Sequence, residues 1–157
     1  MKVARVTLSD RASAGEYEDL SGPEIERVLA ECNFGGAQWI RLVIPDERQR
    51  IETLLIELCD AHGCDLVLTT GGTGPAPRDV TPEATRVVLD RELPGFGEIM
   101  RVQSFAKVPT AILSRATAGT RGRTLIVNLP GNPRAIGECL PLIVPAINEA
   151  MRHLRGE

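Results

Sequence analysis

The sequence predicts an α/β fold: a three-layer, mostly parallel sheet with helices on both faces. Three observations lead there. Short β-branched stretches alternate with amphipathic helix patterns along the chain, as in parallel strands joined by crossover helices. Two of the stretches, 65–70 (DLVLTT) and 124–129 (TLIVNL), are nearly continuous apolar runs, as strands covered on both faces require. At 157 residues the chain fits one domain with one substantial core, so 1–157 is expected to form a single unit.

The elements follow in order. The first strand covers 3–8, and the polar stretch 9–20 after it reads either as a mobile flap or as a solvated loop. Ser21-Gly22-Pro23-Glu24 has the form of a capping box, with Glu three residues after Ser, and opens a helix to about Glu31. The second strand covers 40–44. Asp46-Glu47-Arg48-Gln49 repeats the box with Asp as cap, and Ile51, Leu54, Leu55 and Leu58 then fall at helical spacing. The third strand, 65–70, ends in the glycine-rich stretch 71–80. Thr81-Pro82-Glu83 reads as a cap followed by proline at the first helical position, opening a helix to about Arg91. Leu93-Pro94-Gly95-Phe96-Gly97 interrupts it, and a further helix runs to about Phe105. Gly119 and Gly122 mark a turn, so a short strand within 111–123 should pair antiparallel with 124–129. Asn132-Pro133 starts the last helical stretch. Pro141 and Pro145 predict a break in it, followed by a final helix to about Leu154.

Composition narrows the function. Aromatics are 3% of the chain and the net charge is −3, so neither a stacking platform nor a broad basic face for nucleic acid is expected. No apolar run reaches membrane-spanning length. Cys32, Cys59, Cys64 and Cys139 form no Cys-x-x-Cys pair and read as buried free thiols. His62 and His153 have no evident partner for metal binding. The first residues lead into a strand with no signal-peptide pattern, so a cytoplasmic protein is expected.

Open parallel sheets bind ligands at the carboxyl ends of their strands. That rule gathers 9–20, 45–47, 71–80 and 130–132 on one rim. Thr70-Gly71-Gly72-Thr73-Gly74 lets the backbone approach a ligand and turn its N–H groups toward an anion. It is neither a Walker A loop nor a dinucleotide fingerprint, and the glycines alone read first as an ordinary turn. Arg78 and Asp79 follow. With Thr81 and Pro82 starting the helix, Asp79 is free either to stabilise a turn through an Asx contact or to hold Mg²⁺ beside a phosphate. Asp46 reads first as a helix cap. In Pro130-Gly131-Asn132-Pro133, Gly131 permits close approach and Asn132 caps a helix whose N-terminal dipole suits an anion, with Arg134 near that end. Ser9-Asp10-Arg11 follows the first strand on the same rim.

These residues resemble the molybdopterin adenylyltransferase family: the bacterial MogA proteins and the G domains of gephyrin-type molybdenum-cofactor proteins. The similarity spans nearly the whole chain. It rests on LSDRAS (8–13), IPDE (44–47), LTTGGTG (68–74), RDVTPEAT (78–85), PGFGE (94–98), ILSR (112–115) and NLPGNP (128–133). The resemblance implies a molybdopterin-binding fold and transfer of the adenylyl group of ATP to the terminal phosphate of molybdopterin, with Mg²⁺, releasing pyrophosphate. It implies that Asp46 and Asp79 are the essential acidic pair and candidate Mg²⁺ ligands. It places Ser9, Asp10, Thr70, Gly71, Gly72, Thr73, Gly74, Arg78, Ser114, Pro130, Gly131, Asn132 and Arg134 around the pterin and nucleotide. It also implies a homotrimer and transient contact with a molybdotransferase. Some bacterial members carry a C-terminal extension beyond the position of Glu157. Two other readings share the fold. A molybdotransferase-type domain normally lies within a longer chain, and a non-catalytic pterin-binding paralogue would be favoured by loss of either Asp.

Overall fold

The computed structural model describes residues 1–157. Six strands form one sheet: β1 Lys2–Leu8, β2 Gln38–Ile44, β3 Leu66–Thr70, β4 Arg91–Glu92, β5 Ala118–Arg121 and β6 Thr124–Leu129. Their order is β2-β1-β3-β6-β5-β4. The first four in that order run parallel, and β5 and β4 add an antiparallel edge. Every residue of β3 and β6 is buried, which is why their sequences are apolar on both alternating sets.

The helices are α1 Asp10–Ser13, α2 Ser21–Glu31, α3 Arg48–Ile56, α4 Thr81–Val88, α5 Gly95–Phe105 and α6 Pro133–Arg155. Strand alternation splits the core in two. Val3, Leu66, Leu68 and Leu125 pack with Ile25, Leu29, Ile136 and Ile147 on one face. Ala4, Val6, Val67 and Ile126 pack with Ile51, Leu55, Ala84 and Val88 on the other. The three-layer expectation therefore holds, and so does the antiparallel pairing of 118–121 with β6.

Several local expectations do not hold, for a common reason: a distant partner takes the group that a local motif would use. Ser21 does not cap α2. Asp19 accepts the Gly22 N–H at 3.0 Å instead, and is itself held by the Thr7 hydroxyl and Arg5 of β1. Ser21 donates its hydroxyl to Gly131 O at 2.7 Å, and Glu24 turns to Arg27. Asp46 does not cap α3, whose cap position is Glu47 with no side-chain bond. Thr81 lies inside α4, after Val80, and its hydroxyl donates to Gly71 O at 2.9 Å.

Three boundaries also differ. Residues 10–13 form a short helix capped by Ser9 rather than part of one long flap. The chain leaves α4 at Leu89, not Arg91, because Asp90 and Leu93 donate backbone hydrogen bonds to Thr120 and Ala118 of the sheet edge. α6 is one continuous helix of 23 residues, with no break at Pro141 or Pro145. Both prolines are exposed and four residues apart, on the side away from the buried Ile136, Leu140, Ile143 and Ile147. The carbonyls that lose intrahelical partners belong to Gly137, half-buried, and Pro141, exposed, so neither lies in the core. The end of α3 loosens into a π-helical turn at Glu57–Ala61, which no sequence signal announced.

Candidate active site

The carboxyl ends of β1, β2, β3 and β6 deliver Ser9, Asp46, Gly71 and Gly131 to the walls of one cleft of about 400 Å³. Backbone segments converge so closely there that side chains are excluded. A Cβ on Gly71 (φ +97°) would lie 2.4 Å from Leu8 O. One on Gly72 (φ +65°) would lie 2.3 Å from Thr81 Oγ1 and 3.0 Å from Asp46 Oδ1, and one on Gly131 would lie 3.3 Å from Gly71 Cα. The glycines thus let four strand ends meet around one cleft.

An acidic cluster stands beside the glycine loop. Asp46 Oδ2 accepts the Asp10 N–H and Asp10 Oδ1 accepts the Asp46 N–H, both at 3.0 Å. Arg78 grips both Asp10 oxygens, with Nη2 at 2.7 Å and Nε at 2.9 Å. That guanidinium holds the Asp10 carboxyl below the usual carboxylate range. Asp46 behaves oppositely. Burial pushes its carboxyl up, and the charges of Asp10 and Asp79 push the same way against the pull of the Asp10 amide. Its Oδ1 is buried with no hydrogen-bond partner. Asp79 uses Oδ2 to accept the Ala76 N–H at 3.0 Å, three residues before it; this steadies a turn but is not the forward Asx contact that spacing offered, and its Oδ1 takes no hydrogen bond. No group of three or more acidic, His or Cys side chains converges into a metal cage. Asp46 Oδ1 and Asp79 Oδ1 are carboxylate oxygens left without hydrogen bonds, the donor type taken by an ion such as Mg²⁺ that draws most of its ligands from phosphate and water.

The turn after β6 is stitched in place from two sides. Thr70 Oγ1 donates to Pro130 O and Ser21 Oγ to Gly131 O, each at 2.7 Å. Asn132 caps α6 by accepting the Arg134 N–H at 2.9 Å. Behind this turn lies a second groove of about 220 Å³, lined by Ser114, Pro130, Asn132, Arg101 and Glu138 among others. A larger hollow of about 500 Å³ on the outer side of α3, around Glu47, Arg50 and Thr53, includes none of the glycine-loop residues.

The family description "Probable molybdopterin binding domain" matches residues 4–149. The chain belongs to this family. It is 56% identical over 142 residues to the molybdopterin adenylyltransferase of Helicobacter pylori J99, covering 90% of this chain and 81% of that protein. It is 48% identical over 153 residues to the molybdopterin adenylyltransferase of Escherichia coli K12, covering 98% and 78%. Among solved structures, the molybdopterin biosynthesis enzyme MoaB of Thermus thermophilus superimposes with a TM-score of 0.88 at 46% identity, covering 99% of this chain and 97% of that one.

Within this molybdopterin-binding domain the residues singled out from sequence fall into separate places. Ser9, Asp46, Thr70, Gly71, Gly72 and Gly131 line the cleft, and Asp10 and Arg78 join it through hydrogen bonds to Asp46 and to each other. Thr73 is buried and its carbonyl accepts the Arg115 N–H, while Gly74 packs against Asp79. Ser114, Pro130 and Asn132 belong to the second groove. The Arg134 side chain lies along α6 and pairs with Glu138 at 3.3 Å. Sequence reading missed Tyr17 and Asp19, which line the cleft. Tyr17 OH meets Ser9 Oγ at 2.9 Å, and its ring carries the Arg11 guanidinium 5.0 Å from its centroid. The signal for both was weak: the single Tyr of the chain, and an Asp three residues before the Gly22 amide it caps.

Proposed function

We propose that this chain is a molybdopterin adenylyltransferase of molybdenum cofactor biosynthesis, with its reaction centre where the glycine loop meets Asp46. A terminal phosphate oxygen of molybdopterin attacks the α-phosphorus of ATP. The new P–O bond forms as the bond to pyrophosphate breaks, giving adenylylated molybdopterin and pyrophosphate. The relatives named molybdopterin adenylyltransferase, 48–56% identical over most of the chain, support the substrate and the chemistry.

The observation that carries the site is Asp46 Oδ1: a buried carboxylate oxygen without a partner, against a backbone that leaves no room for a side chain. Buried polar atoms are rarely left unpaired unless a ligand completes them. Asp46 and Asp79 would hold Mg²⁺, which when bound neutralises charge on the triphosphate. The rest falls to the chain's own groups. Gly71 and Gly72 bring backbone close to the phosphates, and Arg78 orients Asp10 and with it Asp46. The N-terminal end of α6 offers its dipole to an anion in either groove.

The reading extends to a cytosolic homotrimer that passes its product to a molybdotransferase. Four free cysteines suit a reducing compartment. Val102, Phe105, Val108, Ile112 and Leu113 form an exposed apolar band on α5 and the 3₁₀ turn Pro109–Leu113, which suits contact with a second copy. The deciding experiment is pyrophosphate release from ATP by the purified protein. Release that requires both Mg²⁺ and molybdopterin supports the reading; molybdopterin binding without release makes the protein a binding paralogue.

A further inference from the structure

Arg115 joins the 3₁₀ turn Pro109–Leu113 to β5, and its bonds reach a different part of the molecule. Its backbone N–H donates to Thr73 O at 2.8 Å, Nε to Gly74 O at 2.9 Å and Nη2 to Asp79 O at 2.7 Å. Nη1 pairs with Glu83 Oε1 in the first turn of α4. One residue therefore holds the glycine loop at its start, at its end and at the helix beyond. Between the two gripped carbonyls lie Pro75, Ala76, Pro77 and Arg78, all exposed. Pro75 and Pro77 have no N–H to donate. Within the bracket, the Asp79 N–H bonds Ala76 O and the Ala76 N–H bonds Asp79 Oδ2. The Arg78 side chain ties the loop to Asp10 on one side, and Arg115 is what holds its backbone carbonyls on the other.

We infer that Arg115 is a positioning residue for the reaction proposed above: by clamping the carbonyls of Gly74 and Asp79 it fixes where the Asp79 carboxylate stands relative to Asp46. The planar fork is what the task needs. Two of its nitrogens reach two carbonyls while a third reaches a carboxylate, a set that a lysine ammonium cannot span from one point. Arg115 also follows Ser114, which lines the second groove, so the same residue ties that wall to the glycine loop.

Arg115→Lys keeps the charge and loses the fork. The expected result is a fall in kcat on the order of a hundredfold, as for other misplacements near 1 Å, with the half-saturating Mg²⁺ concentration raised and the KM for molybdopterin little changed. Calorimetry of ATP binding with and without Mg²⁺ separates positioning from general loosening. Arg115→Lys and Asp79→Asn should each remove the same Mg²⁺-dependent gain in ATP affinity, and the double variant should lose no more than either. Unchanged Mg²⁺ dependence in Arg115→Lys, or additive losses in the double variant, overturns the assignment. If Arg115→Lys melts below the assay temperature, Glu83→Ala carries the test: it removes the acceptor of one arm of the guanidinium and should shift Mg²⁺ dependence the same way by less, and no shift overturns the assignment. A wild-type protein that releases no pyrophosphate refutes the catalytic reading, while the calorimetry still decides the role of Arg115.

Discussion

Asp10 and Asp46, thirty-six residues apart, each accept the other's backbone N–H at 3.0 Å. This reciprocal pair ties the start of α1 to the start of the α3 segment. It also leaves Asp46 with one oxygen to spare. One carboxylate oxygen is taken by Asp10, neither caps α3, and the other remains buried and unpaired.

Asp46→Asn should therefore separate catalysis from stability. The amide keeps an oxygen for the Asp10 N–H and removes a buried charge. Pyrophosphate release should fall a hundredfold or more, given that metal-assisted charge stabilisation contributes several kcal/mol. The melting temperature should stay level or rise. A drop of many degrees alongside the lost activity would instead give Asp46 a structural role.

The same carboxyl sets a pH dependence. Its folded-state pKa is raised by burial, so ionising it opposes folding. Stability should decline as pH rises from the unfolded-state value through the folded-state value, and Asp46→Asn should flatten that decline. With Asp46 serving Mg²⁺ as proposed, activity requires the ionised form, so the acidic limb of the pH–rate profile should lie higher than an unperturbed aspartate would set it. Raising the Mg²⁺ concentration should move that limb to lower pH. A limb indifferent to Mg²⁺ would separate Asp46 from the metal.

Gly72→Ala tests the crowding around the loop. Its Cβ would meet Thr81 Oγ1 at 2.3 Å, on a backbone at φ +65°. Gly36→Ala is the matched control, with φ +74° and nothing within 4 Å. Both should lose roughly 1–2 kcal/mol to left-handed strain. Only Gly72→Ala should lose more than that, and only it should lose ATP affinity. Equal losses by denaturant titration and calorimetry would refute the close approach.

Pro141→Ala and Pro145→Ala restore an N–H to a continuous helix with the prolines on its exposed side. Each should raise stability by about 1–3 kcal/mol, less whatever proline contributes by restricting the unfolded chain. Activity should not change. A loss of stability on thermal unfolding would show that the prolines pack against something in solution.

Phe105→Glu places a charge in the exposed apolar band of α5. Light scattering should give the wild type a mass near three times 17.0 kDa and the variant a lower one. A wild type that runs as a monomer would end the trimer reading.

The sheet was legible because its evidence is contained within each strand. The unbroken runs of β3 and β6 state that both faces are covered, whereas the glycines after β3 permit a close backbone approach without distinguishing it from an ordinary turn. Helix starts were less legible, because a capping box is a local pattern with non-local competitors. Ser21 had the right spacing to Glu24, yet Gly131, 110 residues away, took its hydroxyl. Asp46 had the right spacing to Gln49, yet Asp10 took its oxygen. Thr81 looked like a cap and is instead a tie to Gly71. The α6 prolines misled for another reason: sequence shows that a carbonyl loses its partner, but only packing shows whether that carbonyl lies in the core.

The turn at Pro130 and Gly131 separates the two grooves, and both of its carbonyls are bound, one to Thr70 and one to Ser21. Across the cleft the amides of Tyr17, Glu18, Asp19 and Leu20 donate no backbone hydrogen bond, and this segment is fastened by side chains, Asp19 on Thr7 and Arg5 and Tyr17 on Ser9. The cleft is thus a vice with one welded jaw and one on a pin. A bulkier substrate analogue has to find its space on the pinned side. Efforts to widen substrate range should accordingly recast Tyr17 and Leu20 and leave the Pro130–Gly131 wall alone.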